Sequence, residues 1–418
     1  MAISRIKQLM LLVATTLLAG CSSAGIPEPP TVLRMVRMRH RADAINSEDY
    51  SKFREITEDI IANKRDVDPN ILPQVTLVSK GNFINEIAAQ TRSGFGPDVL
   101  ITDSETALEL YRQKLIDPMP LSKQDRDNTP AHLFDLVTAE DGTVVARPVN
   151  QFLQLACSNK ERLPKPPKTL AEVKSSSADN TFGMALNLND LFWTAEAFEA
   201  SMAMESAIEN KPISRQQTSE MVEWLRWLEA ASYQQNIRFY RDQENLRSAL
   251  IQGELDWITC WSNSLELLRE SMKDKLSVSP LPKGPSNTLK TTARLEVWSL
   301  GRNSSKTQRN KSLTMIDFIT KPWAQKTYAL LSRNTMPANR QAATIVAEKF
   351  AEGTQTSLDY LLRSINPEAA GGQARARIFR NPDQYEIISD ALLETVYDVQ
   401  NPEDAADKIL NSLREKSR

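Results

Sequence analysis

Histidine is nearly missing from this 418-residue chain: only His40 and His132 are present, far apart, with no run of Cys, Asp or Glu at metal-ligand spacing around either. That scarcity leaves nothing from which to assemble a metal centre, so neither a metal nor a cofactor is expected. A nucleophile elbow of the Gly-x-Ser-x-Gly kind and a phosphate-cradling glycine loop are lacking too, which removes the common hydrolase and nucleotide-binding signatures. Paired carboxylates, the one remaining route to catalysis, would make a glycosidase; with so little else to support it, no enzyme is expected. Neither charge dominates, with 51 Lys and Arg against 53 Asp and Glu and a net charge of -2. A nucleic acid or an anionic membrane surface is therefore not the expected partner. Beyond the first residues no apolar window is long enough to span a bilayer. Cysteine occurs three times, at Cys21, Cys157 and Cys260.

What is present begins with an address. Arg5 and Lys7 precede the apolar run "LMLLVATTLL" (9 to 18) and then small residues, the pattern of an export signal over residues 1–20. "SSAGIPEPPT" follows, poor in anything to bury, and reads as a tether over 21–30. The sequence Leu18-Ala19-Gly20-Cys21 resembles the lipobox of bacterial lipoproteins. That resemblance implies cleavage before Cys21, acylation of its thiol and a lipid-anchored protein of the cell envelope, periplasmic or otherwise extracytoplasmic. In an oxidising envelope Cys157 and Cys260 can pair. Both fall in apolar strand-like segments, "FLQLACSN" and "LDWITCW", so they form either a disulfide between neighbouring strands or two inert buried thiols.

The remaining length and ordinary globular composition, 41% hydrophobic and 25% charged, suit two or three domains. "TVLRMVRM" (31 to 38) reads as a buried strand, and 47–64 as a helix opened by Ser47. Strands at "PQVTLVSK" and "PDVLITD" then alternate with helices at "FINEIAAQTRS" and "SETALELYRQK". The alternation restarts after residue 150 with "QFLQLACS", "TFGMALNL", the helix "QTSEMVEWLRWLEAAS" and "LDWITC". Alternating strands and helices predict an α/β chain with parallel, doubly wound sheets. Two such units imply two lobes with a cleft between them.

Several segments in order, "GFGPDVLITDSETALELYRQKLIDPM", "NKERLPKPPKTLAEV", "ALIQGELDW", "LPKGPS", "WSLGRNSSK", "ITKPWAQKTYALL" and "NTMPANRQ", resemble the extracellular solute-binding proteins of family 1, the maltose-binding-like group serving ABC sugar importers. The resemblance implies a two-lobed periplasmic-binding-protein fold of type II. Its hinge would cross near Val149 and Asn150, near Pro282, and near Met336 and Pro337. Lobe I would comprise 31–149 and 283–335, and lobe II 150–282 and 336–418. It further implies a small sugar, glycoside or oligosaccharide as ligand and ABC permease subunits as partners.

A sugar ring shows C–H groups on its faces and hydroxyls around its edge, so indoles suit the faces while carboxylates and amides suit the edge. Trp257 and Trp261 share one parity where a strand hands over to a helix, the edge at which α/β sheets hold ligands. Trp298 stands where sugar-binding relatives carry a stacking aromatic in a Gly-Gly-Trp motif, here "LEVW", with Glu296 in place of a glycine. Asp103 ends a strand and either caps the next helix or faces the cleft, with Glu105 two residues on. Asn189, Asp190 and Trp193 are expected in a loop at the carboxyl end of a strand. For each indole the competing reading is core, favoured at Trp257; Trp224 and Trp227, at helical spacing, read as packing. Phe152 and Ser158 stand where the maltose binder has a carboxylate and a tyrosine, so maltose itself is not implied. Two alternatives keep the fold: capture of an anionic or polar solute, with Arg39, His40 and Arg41 as candidates, and an envelope sensor or scaffold. A ferric-ion binder is disfavoured, because the eight tyrosines do not gather at strand ends.

Overall fold

A computed structural model describes residues 30–39, 62, 68, 70–286, 292–332, 334–352 and 373–415. The expected signal, Cys21, the tether before Pro30, the helix read over 47–64 apart from Ala62, and the pair His40 and Arg41 lie outside them.

Strands β1 (Thr31–Arg39), β2 (Ile71–Ser79) and β3 (Val99–Asp103) are rich in branched and long apolar side chains and form a parallel set in the order β2-β1-β3. Helices α1 (Phe83–Arg92) and α2 (Ser104–Arg112) follow β2 and β3, and the short β4 (Ile116–Asp117) comes next. Then β5 (Arg147–Asn159) runs for thirteen residues, long enough at about 3.4 Å each to serve two halves of one sheet. Beyond it, β6 (Phe182–Ala185), β7 (Ile237–Tyr240) and β8 (Trp257–Trp261) make a second parallel set, with β6 between the other two. Between β6 and β7 the chain forms α3 (Leu188–Ala197), α4 (Ala200–Ile208) and α5 (Arg215–Ser232); α6 (Gln243–Ile251) leads into β8.

The sheets are mixed rather than wholly parallel, which corrects the expectation from alternation. Strand β10 (Ala293–Gly301) returns from late in the chain to lie antiparallel between β3 and β5, and β5 lies antiparallel to β8. Strands β9 (Leu276–Ser279) and β11 (Met336–Pro337) also pair with β5, the latter at Gln151 and Asn150. The eleven strands among the described residues thus form one continuous sheet, with β5 as the member common to both halves.

Each half is buried on both faces. Around β1 and β3, Val36, Leu100, Leu108 and Val297 fill one face, and Leu33, Ile101, Trp298 and Ile316 the other, under α7 (Lys306–Ile319) and α8 (Pro322–Ser332). In the second half Phe182, Trp193, Trp224 and Trp257 pack with Ile388, Ile409 and Leu413 from the C-terminal part of the chain. That part contains α9 (Gln373–Arg380), α10 (Pro382–Val396) and α11 (Pro402–Glu415). On the opposite face Leu155, Ile258 and Leu268 surround Cys157 and Cys260, which are joined as a disulfide between the neighbouring strands β5 and β8.

Candidate functional site

The carboxyl ends of both parallel sets face one cleft of about 1080 Å³. From β1, β2 and β3 come Arg37, Lys80 and Asp103; from β6, β7 and β8 come Asn187, Arg241 and Trp261. In open α/β sheets ligands bind at this edge because loops and helix N-termini converge there.

Asp103 ends β3 and caps α2: Oδ1 accepts the backbone N–H of Thr106 at 2.8 Å, and Oδ2 accepts the ammonium of Lys80 at 2.6 Å. Both expected roles, cap and cleft wall, therefore fall on one carboxylate. Glu105, on the first turn of α2, meets Asn189 across the cleft, Nδ2 to Oε1 at 3.4 Å. Its other oxygen, Oε2, is buried with no hydrogen-bond partner among the described residues. A bare carboxylate oxygen at a cleft wall is an acceptor waiting for a donor.

Glu296 lies opposite Asp103, where β10 pairs with β3. It forms an ion pair with Arg37 and accepts Asn150 Nδ2 at 3.1 Å. The hydroxyl of Tyr328, from α8, stands 3.5 Å from Arg37. Burial first, and Glu296 next, push that phenol well above its ordinary pKa, so it stays protonated.

Asp190 is taken up by its neighbours rather than open to a ligand. Trp261 Nε1 donates to Oδ1 at 2.5 Å, Arg294 reaches the same oxygen at 3.2 Å, and Asn187 donates to Oδ2. With both oxygens engaged and the residue only 2% exposed, its chemistry is to orient the indole. The guanidinium of Arg294 lies over the Trp261 ring, 4.3 Å from its centroid, a cation–π contact that covers one face. Trp261, Arg294, Asp103, Glu105, Asn189, Asp190 and Glu296 all line the cleft.

The other three candidate indoles, Trp193, Trp257 and Trp298, do not. Trp298 pairs with Ile101, one rung below the Glu296–Asp103 pair on the same face. Two residues along a strand move a side chain about 7 Å, here from the rim into the core, where Trp298 is 3% exposed. Trp257 likewise lies deeper in β8 than Trp261 and packs on Phe182 at 5.7 Å between centroids. Trp193 is in the core because residues 188–197 are helical: Asn187 caps α3 by accepting the N–H of Asp190, and the whole helix is buried. The expected loop is therefore a helix with Asn189 and Asp190 in its first turn.

Sequence reasoning missed four cleft residues of weight. Phe379 and Tyr385, 5.2 Å apart edge to face, come from α9 and α10 and add two rings to Trp261 and Phe152. Burial, and then Glu105 and Asp190, raise the pKa of Tyr385, leaving it a hydroxyl donor. Arg37 and Arg294 were visible as charges inside apolar strands, a pattern that signals a partnered buried group.

Residues 74–355 match the sequence model of a family described as bacterial extracellular solute-binding protein. No curated protein matches the sequence. The fold is similar to that of the GacH receptor of Streptomyces glaucescens, solved unliganded and with acarbose, at a TM-score of 0.69 and 13% identity, over 93% of this chain and 98% of that one. A tagatose-bound ABC transporter solute-binding protein from Thermotoga lettingae gives 0.69 and 12%, over 93% and 100%. Maltose-bound MalE3 of T. maritima gives 0.65 and 16%, over 92% and 100%.

Proposed function

The chain belongs to the bacterial extracellular solute-binding protein family, and we propose that it is the substrate-binding lipoprotein of an ABC importer, holding a sugar, glycoside or oligosaccharide between its lobes. The observation that carries this reading is the cleft itself. Four rings, Phe152, Trp261, Phe379 and Tyr385, share it with carboxylates and amides at the carboxyl ends of both parallel sets. Rings suit the C–H faces of a sugar and polar groups its hydroxyls, and a volume of about 1080 Å³ stands at the upper end of small-molecule sites. Glu105 takes a ligand hydroxyl; Asn189, whose amide already engages Glu105 and Arg375, holds that carboxylate in place; Asp103 and Glu296 shape the opposite wall; Asp190 aims Trp261.

Among the described residues the lining holds eight carboxylates (Asp103, Glu105, Asp190, Asp242, Glu244, Glu266, Glu296, Glu386) and six cations (Arg37, Lys80, Arg112, Arg241, Arg247, Arg294), a balance that suits a neutral polar ligand. His40 and Arg41, two of the candidates for an anion, lie outside them.

Lobe I takes residues 31–149 and 283–335, lobe II takes 150–282 and 336–418, and β5 with β11 forms the hinge. Residues 1–20 direct export and Cys21 carries the lipid that holds the protein to its membrane. Among the described residues no helix is long and apolar enough to cross a membrane. The permease reads closure, and the protein binds without chemistry, so incubation with aryl glycosides releases no aglycone.

A thermal-unfolding screen over mono- and disaccharides, longer oligosaccharides, polyols, amino acids and organic anions tests the reading. A true ligand at a hundredfold excess over its Kd adds about 2.7 kcal/mol and raises the midpoint. Stabilisation by saccharides alone is the expected result; stabilisation only by amino acids or anions rules the sugar assignment out.

A further inference from the structure

Arg375 does not line the cleft, yet its guanidinium touches elements of both halves. Arg375 is 1% exposed and belongs to α9, whose own attachments are divided. Ala374, Ile378 and Phe379 pack into the core built on β6 and β8, Ala376 packs into the core of the first half, and Arg380 donates to the carbonyl of Asp135 at 2.7 Å. The guanidinium of Arg375 sits where these attachments meet. Nη2 donates to Asn189 Oδ1 at 2.6 Å on α3 and stands 3.7 Å from Glu105 Oε1 on α2; Nη1 donates to the carbonyl of Ala293 at 2.8 Å, at the start of β10.

These contacts reach both halves: Glu105 on the first, Asn189 on the second, and Ala293 at the start of β10, the strand between β3 and β5. Removing an arginine from water is costly, and burial accordingly lowers its pKa, with Glu105 as the foremost opposing influence. Such a group is retained where its fork must reach several acceptors at once, a geometry lysine cannot reproduce. Asn189 and Glu105 are also the two side chains that meet across the cleft, so whatever fixes their separation fixes the width of the site.

We propose that Arg375 is an interlobe clasp: a positioning residue that holds Glu105 and Asn189 together, draws the lobes toward closure without ligand, and so sets the affinity of the cleft. This rests on the two-lobed, closing reading above but not on the ligand being a sugar. A ligand hydroxyl donating to Glu105 Oε2 leaves the clasp intact, so binding and closure reinforce one another through the same carboxylate.

Small-angle scattering from the full-length, ligand-free protein reads the clasp directly, with no need to know the ligand. Arg375→Met and Glu105→Gln are expected to raise the radius of gyration by roughly 1 Å over the ~22 Å of a compact chain of this length, the first more than the second. Arg375→Lys, which keeps the charge but not the fork, falls between Arg375→Met and the parent. Circular dichroism selects folded variants; should Arg375→Met fail to fold, Glu105→Gln decides alone, since its side chain is partly exposed and its shape is kept. Folded variants whose scattering superimposes on the parent's overturn the clasp. A sugar screen without hits leaves this test standing, so the two readings fail separately.

Discussion

Two indoles, Trp261 and Trp298, show how far residue type and spacing reach. Both sit on strands that end at the cleft, and both are almost wholly buried, at 2% and 3% exposure. What separates them is one rung of a sheet. Trp261 is the last residue of β8 and its N–H is held by Asp190; Trp298 is one step inside the rim and its N–H has no partner among the described residues. Resemblance to a family motif singled out Trp298 but could not give its depth, which depends on how β10 registers against β3, a pairing across almost two hundred residues of chain. Trp298→Ala is accordingly a stability variant: it opens a cavity in the core and should cost about 3–5 kcal/mol in denaturant unfolding. A midpoint equal to the parent's would return Trp298 to the list of cleft residues. Asp103, Glu105 and Asn189 were legible because polar residues just after an apolar strand have few other places to go, and Glu296, inside β10, because it stands where the family motif has a glycine. Phe379, Tyr385 and Arg375 were not, because nothing local says that a C-terminal helix will come back to the cleft.

At the scale of elements, β1, β2, β3, β5, β6 and β8 could be read from apolar runs, whereas β7, only four residues with charged Arg238 among them, was not. The stretch after β6 resisted. "NLNDLFW" looks like a polar loop, but Asn187 supplies a cap and ten buried residues follow, so capping together with burial outweighs the apparent turn chemistry. Direction was the other gap: alternation announces parallel strands, whereas β10 and β5 are antiparallel because the chain crosses between halves there. The bond between Cys157 and Cys260 settles at this scale a question the sequence left open, tying β5, the shared strand, to β8, which carries Trp261. The partners are 103 residues apart, so chain-entropy reasoning gives the bond about 4–5 kcal/mol against unfolding. Reduction should lower the denaturant midpoint accordingly. Alkylation of both thiols in unreduced protein would show that the bond is absent.

For the whole molecule, one sheet shared by two halves, with both sets of carboxyl ends turned to a single cleft, is the arrangement by which a binding protein can close over a solute. If the halves close over a ligand beside Glu105 and Glu296, a ligand lacking matching hydroxyls would leave buried groups unpaired at about 1–3 kcal/mol each. That penalty, more than the area covered by the rings, would set specificity. Isothermal titration of the saccharide that most raises the unfolding midpoint, into the full-length protein and into Trp261→Ala, tests capture in this cleft most directly. The account predicts saturable one-to-one binding by the parent and a loss of about 2 kcal/mol, some thirtyfold in Kd, in the variant. Equal affinity in both proteins, with the variant folded, would contradict it.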